Sequence, residues 1–119
     1  MEKEEQLHNS WVRSRAYGVD PSYVEDDLLT DRELRERKQR LSTLFTACAP
    51  ILDNLYQRLK SSSFMVLVSD PEGYIVFSRG NPPFTTRAKQ VSLHAGANWG
   101  EHVKGTNAIG TALYEQTPM

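Results

Sequence analysis

The sequence predicts an α+β fold in which helices pack around a small antiparallel sheet. Three observations lead to this prediction. Apolar residues recur at helical spacing between positions 34 and 59, two short apolar and β-branched runs flank a turn at 70–73, and a capped helical segment follows position 107. The order along the chain is therefore N-terminal helices, a long kinked helix, a hairpin and a C-terminal helix. A chain of 119 residues accommodates one domain of this kind.

The composition excludes several classes of protein. The formal net charge is −1 and charged residues make up 24% of the chain, so no basic surface for nucleic acid is expected in this fragment. The single cysteine, Cys48, forms neither an internal disulfide nor a thiolate metal cluster. No apolar run reaches the roughly 18 residues of a membrane helix, and the first residues are acidic, unlike a secretory signal. We therefore expect a cytoplasmic protein without a membrane partner.

Two helical segments are predicted in the first half of the chain. Residues 3–17 favour a helix that ends at Gly18, with Pro21 preventing its continuation and residues 22–29 forming an ordered connection. Thr30 and Glu33 have the spacing of a capping box, which predicts the start of a long helix over 31–60.

The long helix has an internal proline and one apolar face. Pro50 lacks a backbone donor, so we expect a kink or break near 46–49. The apolar face packs either on a sheet of the same chain or on the same helix of a second copy, and the second case would give a homodimer. The face comprises Leu34, Leu41, Leu44, Phe45, Cys48, Ile51, Leu52, Leu55 and Leu59. The candidate dimer contacts among them are Leu34, Leu41, Leu44, Phe45, Ile51, Leu55 and Leu59.

The second half of the chain begins with the predicted hairpin. Strands are expected over 64–68 and 74–78, and both are apolar on both faces, which suits a position inside a larger sheet. Residues 81–84 are predicted to turn and 85–98 to form a loop. A final helix is expected over 108–115, and an extended segment is expected to begin at 117, which suggests that the chain is a fragment of a larger domain.

No catalytic, metal or cofactor site is predicted. The segment 105–112 has the two glycines of a phosphate loop, but Thr111 and Ala112 replace the lysine and hydroxyl that bind phosphate and Mg²⁺. The three histidines lack partners at ligand spacing, and Cys48 lies on the apolar helix face. An enzyme using Cys48 and the histidines is therefore the least supported interpretation.

The segment 96–107 is the candidate ligand site. Trp99 supplies a flat apolar surface, and His102, Thr106 and Asn107 supply hydrogen-bonding groups beside a helix N-terminus. The alternative interpretation is an ordered loop that packs Trp99 on the core, with Thr106 and Asn107 serving only as helix caps. Residue types alone favour the ordered loop.

Four segments together resemble the N-terminal sensor region of bacterial sigma-54-dependent transcription activators, especially the AcoR type that activates acetoin dehydrogenase operons. These segments are Ser10-Trp11-x-Arg13 with Gly18-Val19-Asp20-Pro21, Ala49-Pro50-x-Leu52, Asp70-x-x-Gly73-Tyr74-Ile75, and Trp99-x-Glu101-x-x-x-Gly105-Thr106-Asn107-Ala108-Ile109-Gly110-Thr111-Ala112-Leu113. The resemblance implies a truncated GAF-like (profilin-like) domain, with residues 1–60 as a helical dimerisation and signalling region and 61–119 as the N-terminal part of the GAF domain. It implies no bound cofactor.

The resemblance also implies a function and partners. The expected function is sensing of a small acetoin-like effector by a homodimer, without enzymatic activity. The full-length parent would add ATP-binding and DNA-binding modules and act on sigma-54 RNA polymerase. The alternative is a helical dimerisation or interaction module whose pocket is vestigial.

Overall fold

The computed structural model describes residues 2–20, 27–61 and 64–119. Within these ranges the fold is α+β, with six helices and one two-stranded antiparallel sheet. The elements are α1 (Glu2–Ala16), α2 (Asp31–Arg40), α3 (Ser42–Leu59), β1 (Met65–Ser69), β2 (Ile75–Gly80), α4 (Pro82–Gln90), α5 (Glu101–Lys104) and α6 (Ala108–Glu115). None of the helices in these ranges has both the length and the apolar character needed to cross a membrane.

Helix α1 packs against α5 and α6, far along the sequence. Its predicted end is confirmed, because Gly18 has φ +79° and its N–H donates to the Arg15 carbonyl at 2.9 Å. The inward residues of α1 are Ser10 and Ser14, whereas Trp11 is 57% exposed. Pro21 and most of the expected connection over 22–29 lie outside the described residues.

The predicted long helix is interrupted at Leu41. The capping box at its start is confirmed, with Glu33 N–H donating to Thr30 Oγ1 at 3.2 Å and Thr30 N–H donating to Glu33 Oε1 at 3.1 Å. Of the kink or break expected near 46–49, the break is wrong, because α3 continues through Pro50, and the kink stays a prediction. Pro50 removes only one backbone donor, and the helix continues past it. The interruption lies at Leu41 instead, whose φ of −99° and ψ of 11° are outside helical geometry.

The apolar face of the long helix divides into two parts in the fold. Leu34, Leu41, Phe45, Cys48 and Leu52 are half-buried, and the Phe45 ring lies 6.2 Å from that of Phe77 on β2. The other four side chains of the predicted face are exposed, namely Leu44, Ile51, Leu55 and Leu59. Phe45 of the first part packs on the chain's own hairpin, and the second part faces solvent.

The hairpin is confirmed and forms the centre of the fold. Strands β1 and β2 pair antiparallel, with Leu67 opposite Ser78. Ile75 and Val76 are fully buried. The segment 96–99 runs beside β2, and Ile75 N–H donates to the Ala97 carbonyl at 2.8 Å. Leu28 pairs with the other side of Ala97, so the hairpin lies in a wider arrangement of extended chain, although among the described residues only β1 and β2 form a regular sheet.

The loop expected over 85–98 is wrong in its first part, because Pro82–Gln90 form helix α4. Proline suits the first turn of a helix, where its missing N–H is not needed, and Pro82 and Pro83 occupy that turn. The predicted final helix is confirmed as α6, capped by Asn107 Oδ1, which accepts from Gly110 N–H at 2.9 Å. The expected extended segment from 117 is not a strand.

Candidate functional site

A buried polar cluster joins α1 to α5. Glu101, the first residue of α5, is 4% exposed. Its carboxylate accepts two parallel hydrogen bonds from Arg13, from Nε at 2.9 Å and from Nη2 at 2.9 Å. Ser10 Oγ donates to the same carboxylate at 2.6 Å. Bidentate pairing of this kind is the strongest common form of an ion pair, so it fixes the position of α1 against α5.

The cluster extends to α6 through hydroxyl and charged groups. Ser10 Oγ lies 2.7 Å from Thr106 Oγ1 and 3.1 Å from Thr111 Oγ1. Because the Ser10 hydroxyl has one proton and donates it to Glu101, it accepts from Thr106. Arg13 Nη1 also donates to Glu115 Oε1 at 3.0 Å, and Arg13 Cζ lies 3.7 Å from the centre of the Tyr114 ring.

The cluster keeps both members of the ion pair charged. Burial alone would raise the pKa of Glu101, but hydrogen bonds from Arg13, Ser10 and Thr111 outweigh it and hold that pKa below the ordinary value of 4.5. The hydrogen bond to Glu101 raises the pKa of Arg13. Protonation of Glu101 in acid would therefore weaken the contact between α1 and α5.

A cleft of about 550 Å³ lies next to this cluster. It is bounded by the end of α1, the hairpin turn, the segment 98–102 and α6. The described residues that line it are Tyr17, Asp27, Pro71, Glu72, Tyr74, Asn98, Gly100, Glu101, His102, Gly110, Leu113 and Tyr114. Three of these side chains are carboxylates and none is Lys or Arg, so the described lining favours neutral or cationic molecules over anions.

One wall of this cleft, which we call the larger cleft, is formed by a fixed set of hydrogen bonds. Tyr74 Oη donates to Asp27 Oδ2 at 2.6 Å, and Asn98 Nδ2 donates to the same oxygen at 3.3 Å. The hydrogen bond to Asp27 raises the pKa of Tyr74, so the phenol stays protonated. Asn98 Oδ1 in turn accepts from Gly100 N–H at 2.7 Å. The amide orientation is thereby fixed, with its NH₂ group directed at Asp27.

The same wall connects to α2 through Arg37. Arg37 Nη1 lies 2.7 Å from Asp70 Oδ2, and Arg37 Cζ lies 4.3 Å from the centre of the Tyr74 ring. Burial would lower the pKa of Arg37, but its hydrogen bonds to Asp70 and Glu72 raise it. Asp70 is 4% exposed and also accepts from Tyr74 N–H at 3.0 Å. A displacement of Tyr74 would therefore change the contacts that Arg37 of α2 makes with Tyr74 and Asp70.

The four predicted ligand residues do not line a single cleft. His102 lines the larger cleft, and Thr106 belongs to the polar cluster. Trp99 Nε1 donates to the Ser92 carbonyl at 3.0 Å. Asn107 caps α6 and also donates from Nδ2 to the Trp99 carbonyl at 2.8 Å. Their part in ligand binding remains a prediction, and only His102 lies at the larger cleft.

Sequence reasoning did not select the residues that define this region. Ser10, Arg13, Glu101 and Tyr74 all lie in the segments that carry the family resemblance, so that signal was available. Asp27 had no such signal, because its partner Tyr74 is 47 residues away. Among the described residues, no group of His, Cys, Asp and Glu side chains is arranged to hold a metal ion.

Comparison of the sequence with known proteins places this chain in a family. The family described as MimR, N-terminal domain, matches residues 4–119. The chain is 33% identical over 115 residues to the acetoin dehydrogenase operon transcriptional activator AcoR of Bacillus subtilis. The matched region covers 95% of this chain and 19% of that protein. It is 32% identical over 109 residues to the acetoin catabolism regulatory protein of Cupriavidus necator, covering 90% of this chain and 16% of the relative.

A third relative controls a different operon. The propane 2-monooxygenase operon transcriptional activator MimR of Mycolicibacterium smegmatis is 32% identical over 112 residues, covering 92% of this chain and 18% of the relative. The chain thus spans about a fifth or less of the length of these three proteins. Two of the three are named as transcriptional activators and the other as a regulatory protein, in agreement with the prediction of a non-enzymatic chain. No solved structure gives a significant match.

Proposed function

Because this chain belongs to the MimR N-terminal domain family, we propose that it is the regulatory, small-molecule-sensing domain of a transcription activator. The observation that carries the proposal is the larger cleft of about 550 Å³, which falls within the range of small-molecule sites. Its wall is a set of oriented hydrogen-bonding groups built on Asp27, Tyr74 and Asn98.

The proposed effector is a small neutral hydroxy ketone or diol such as acetoin. Such molecules carry hydroxyl donors, and the described lining offers the carboxylates of Asp27 and Glu72 as acceptors. The lining also contains apolar surface from Leu113 and the Tyr17 ring. Two relatives are named for acetoin regulation, and this supports the choice of acetoin as the first molecule to test.

The proposed signal path runs from the larger cleft to the long helical region. Tyr74 lines the cleft and lies under the guanidinium of Arg37, which belongs to α2. An effector that shifts Tyr74 or Asp27 would change the Arg37 contacts and move α2 relative to the hairpin. This requires the effector to bind the two arrangements of α2 with different affinity.

The wider proposal concerns the architecture and the parent protein. Residues 1–60 would form the signalling helices, and 61–119 the N-terminal part of a GAF-like domain. In the parent protein, this region would control ATP-binding and DNA-binding modules that act with sigma-54 RNA polymerase. The names of the relatives as operon activators support this setting.

The test is an isotope-edited NMR titration of the 119-residue chain with acetoin, 2,3-butanediol, glycerol and acetone, which lacks a hydroxyl group. We expect acetoin or the diol to cause saturable shifts at Tyr74 and Asn98, and acetone to bind more weakly. Tyr74→Phe removes only the hydroxyl that donates to Asp27, so it should weaken binding about fivefold. Tyr56→Phe is the matched control, because Tyr56 contacts Phe64 and does not line the larger cleft. Saturable binding with shifts confined to other regions, or none with any of the four molecules, would contradict the proposal.

The second candidate function is a helical dimerisation module, and the exposed part of α3 favours it. Leu44, Ile51, Leu55 and Leu59 are between 36% and 68% exposed and recur at seven- and four-residue steps. We expect sedimentation equilibrium to show a dimer that Leu55→Asp dissociates. Gln57→Asp, an exposed change on the same helix, should leave it intact. A wild-type chain that is monomeric at tens of micromolar would exclude this candidate.

A further inference from the structure

Helix α1 has a second side that the polar cluster does not use. Ser10 and Arg13 are directed at Glu101, whereas Trp11 is 57% exposed. An indole is a large apolar group that gains from burial or from a partner on its face. Trp11 borders a separate cleft of about 350 Å³, the volume of roughly a dozen water molecules.

This second cleft has a chemistry opposite to that of the larger cleft. Arg15 and Lys104 line it together with Asp20, which leaves one net positive charge on the described lining. The larger cleft has three carboxylates and no lysine or arginine on its described lining. The two clefts therefore favour different ligands, neutral or cationic in the larger and anionic in the second.

The wall of the second cleft also contains an unused hydrogen-bonding group. Ser14 Oγ is buried and has no hydrogen-bond partner among the described residues. Buried hydroxyls are usually paired, because an unpaired one has lost its hydrogen bonds to water without gaining a replacement. Gly105 keeps the cleft open beside it, since a Cβ at that position would lie 3.3 Å from Val19 Cγ1 and 3.7 Å from Ser14 Oγ.

We propose that the cleft between Trp11, Arg15 and Lys104 binds a small carboxylate with a flat apolar body. The carboxylate would pair with Arg15 and Lys104, and the apolar body would cover the exposed Trp11 ring. Guanidinium groups pair well with carboxylates, and ring stacking on an indole adds apolar burial. This site is independent of the proposed function, because acetoin is neutral and is directed to the larger cleft.

The test uses three benzene derivatives of similar size that differ in charge: benzoate, benzamide and benzylammonium. Each is titrated into the 119-residue chain at 0.15 M salt, where long-range attraction is largely screened. The readout is the indole N–H signal of Trp11 in an NMR spectrum, distinguished from that of Trp99 by the Trp11→Phe variant. We expect saturable shifts of the Trp11 signal, with benzoate binding at least about threefold more tightly than benzamide and benzylammonium binding most weakly.

Substitutions then separate a built site from general attraction. Arg15→Gln should remove the preference for benzoate over benzamide, and Lys3→Gln should preserve it, because Lys3 is exposed at the other end of the same helix. Lys104→Gln is the second cleft variant, which should also weaken the preference and which decides alone if Arg15→Gln does not fold. An unmoved Trp11 signal with benzoate would overturn the proposal. So would a preference for benzoate that survives both cleft variants, or one that is lost equally in Lys3→Gln.

Discussion

Replacement of Arg13 by Met is expected to destabilise the fold strongly. The substitution keeps an unbranched side chain but leaves the Glu101 carboxylate, which is 4% exposed, without its cation. Removing one partner of a buried ion pair typically costs about 3–5 kcal/mol, because the remaining charge is buried and uncompensated. The Arg13 side chain is 17% exposed, so we expect the lower end of this range, about 3 kcal/mol.

A double-mutant cycle measures how much of this effect belongs to the pair. Glu101→Gln alone should cost about 1.5 kcal/mol, since Arg13 retains its contact with Glu115 at 3.0 Å. In the Glu101→Gln background, Arg13→Met no longer leaves a carboxylate unpaired at position 101, and only the more exposed Glu115 loses its partner. We therefore expect a coupling free energy of about 1.5 kcal/mol between the two changes. The control is Arg32→Met, which removes an exposed ion pair with Glu36 and should cost about 0.3 kcal/mol.

The assay is urea unfolding at pH 7 followed by far-UV circular dichroism, with the slope of the unfolding free energy checked for constancy. Amide hydrogen exchange on the Arg13→Met variant should show faster exchange in α1 than in the hairpin, because the lost contact holds α1. A destabilisation by Arg13→Met no larger than that of Arg32→Met, or a coupling free energy near zero, would refute the reasoning.

Three further predictions concern the same region. The stability contributed by Glu101 is present above its unfolded pKa and is lost as the pH falls through its lowered folded pKa, so urea midpoints should fall as the pH is lowered below the ordinary value of 4.5, and less steeply in Glu101→Gln. Gly110→Ala should destabilise by about 2 kcal/mol in thermal unfolding despite the better helix propensity of Ala, because the added Cβ would lie 2.6 Å from Glu101 N and 2.7 Å from Trp99 O. Asn107→Ala should lower stability by about 1–2 kcal/mol through loss of the α6 cap, and Asn107→Asp should restore only part of it, because it keeps the cap but lacks the Nδ2 donor to the Trp99 carbonyl.

The elements that the sequence predicted correctly are those with local signals. The capping box of α2 spans four residues, and the hairpin turn is fixed by Asp70, whose Oδ1 accepts from Tyr74 N–H. Helix α6 begins at an asparagine whose own side chain caps it. Each of these arrangements is decided by residues within a few positions of one another, so a pattern in the sequence is sufficient to find it.

Features that depend on distant contacts were not predictable in the same way. The sequence of helix α4 does not indicate a helix, because its nine residues bury only Ala88 and show no sustained apolar period. The predicted apolar face of the long helix is correct as a pattern. Which of its residues meet the hairpin depends on the angle at which the helix packs on the hairpin. The site itself joins residues 47 to 102 positions apart, such as Asp27 with Tyr74 and Arg13 with Glu115.

The chemistry of α1 explains why this helix matters to both clefts. A surface helix is normally held by an apolar stripe, but the buried residues of α1 are Ser10 and Ser14, and Trp11 faces outward. Apolar contacts tolerate small shifts, whereas the bidentate pairing of Arg13 with Glu101 tolerates few. Glu101 lines the larger cleft, and Ser14 lines the second. A molecule that changed the partners of Glu101 would therefore alter the attachment of α1, and with it the wall of the second cleft.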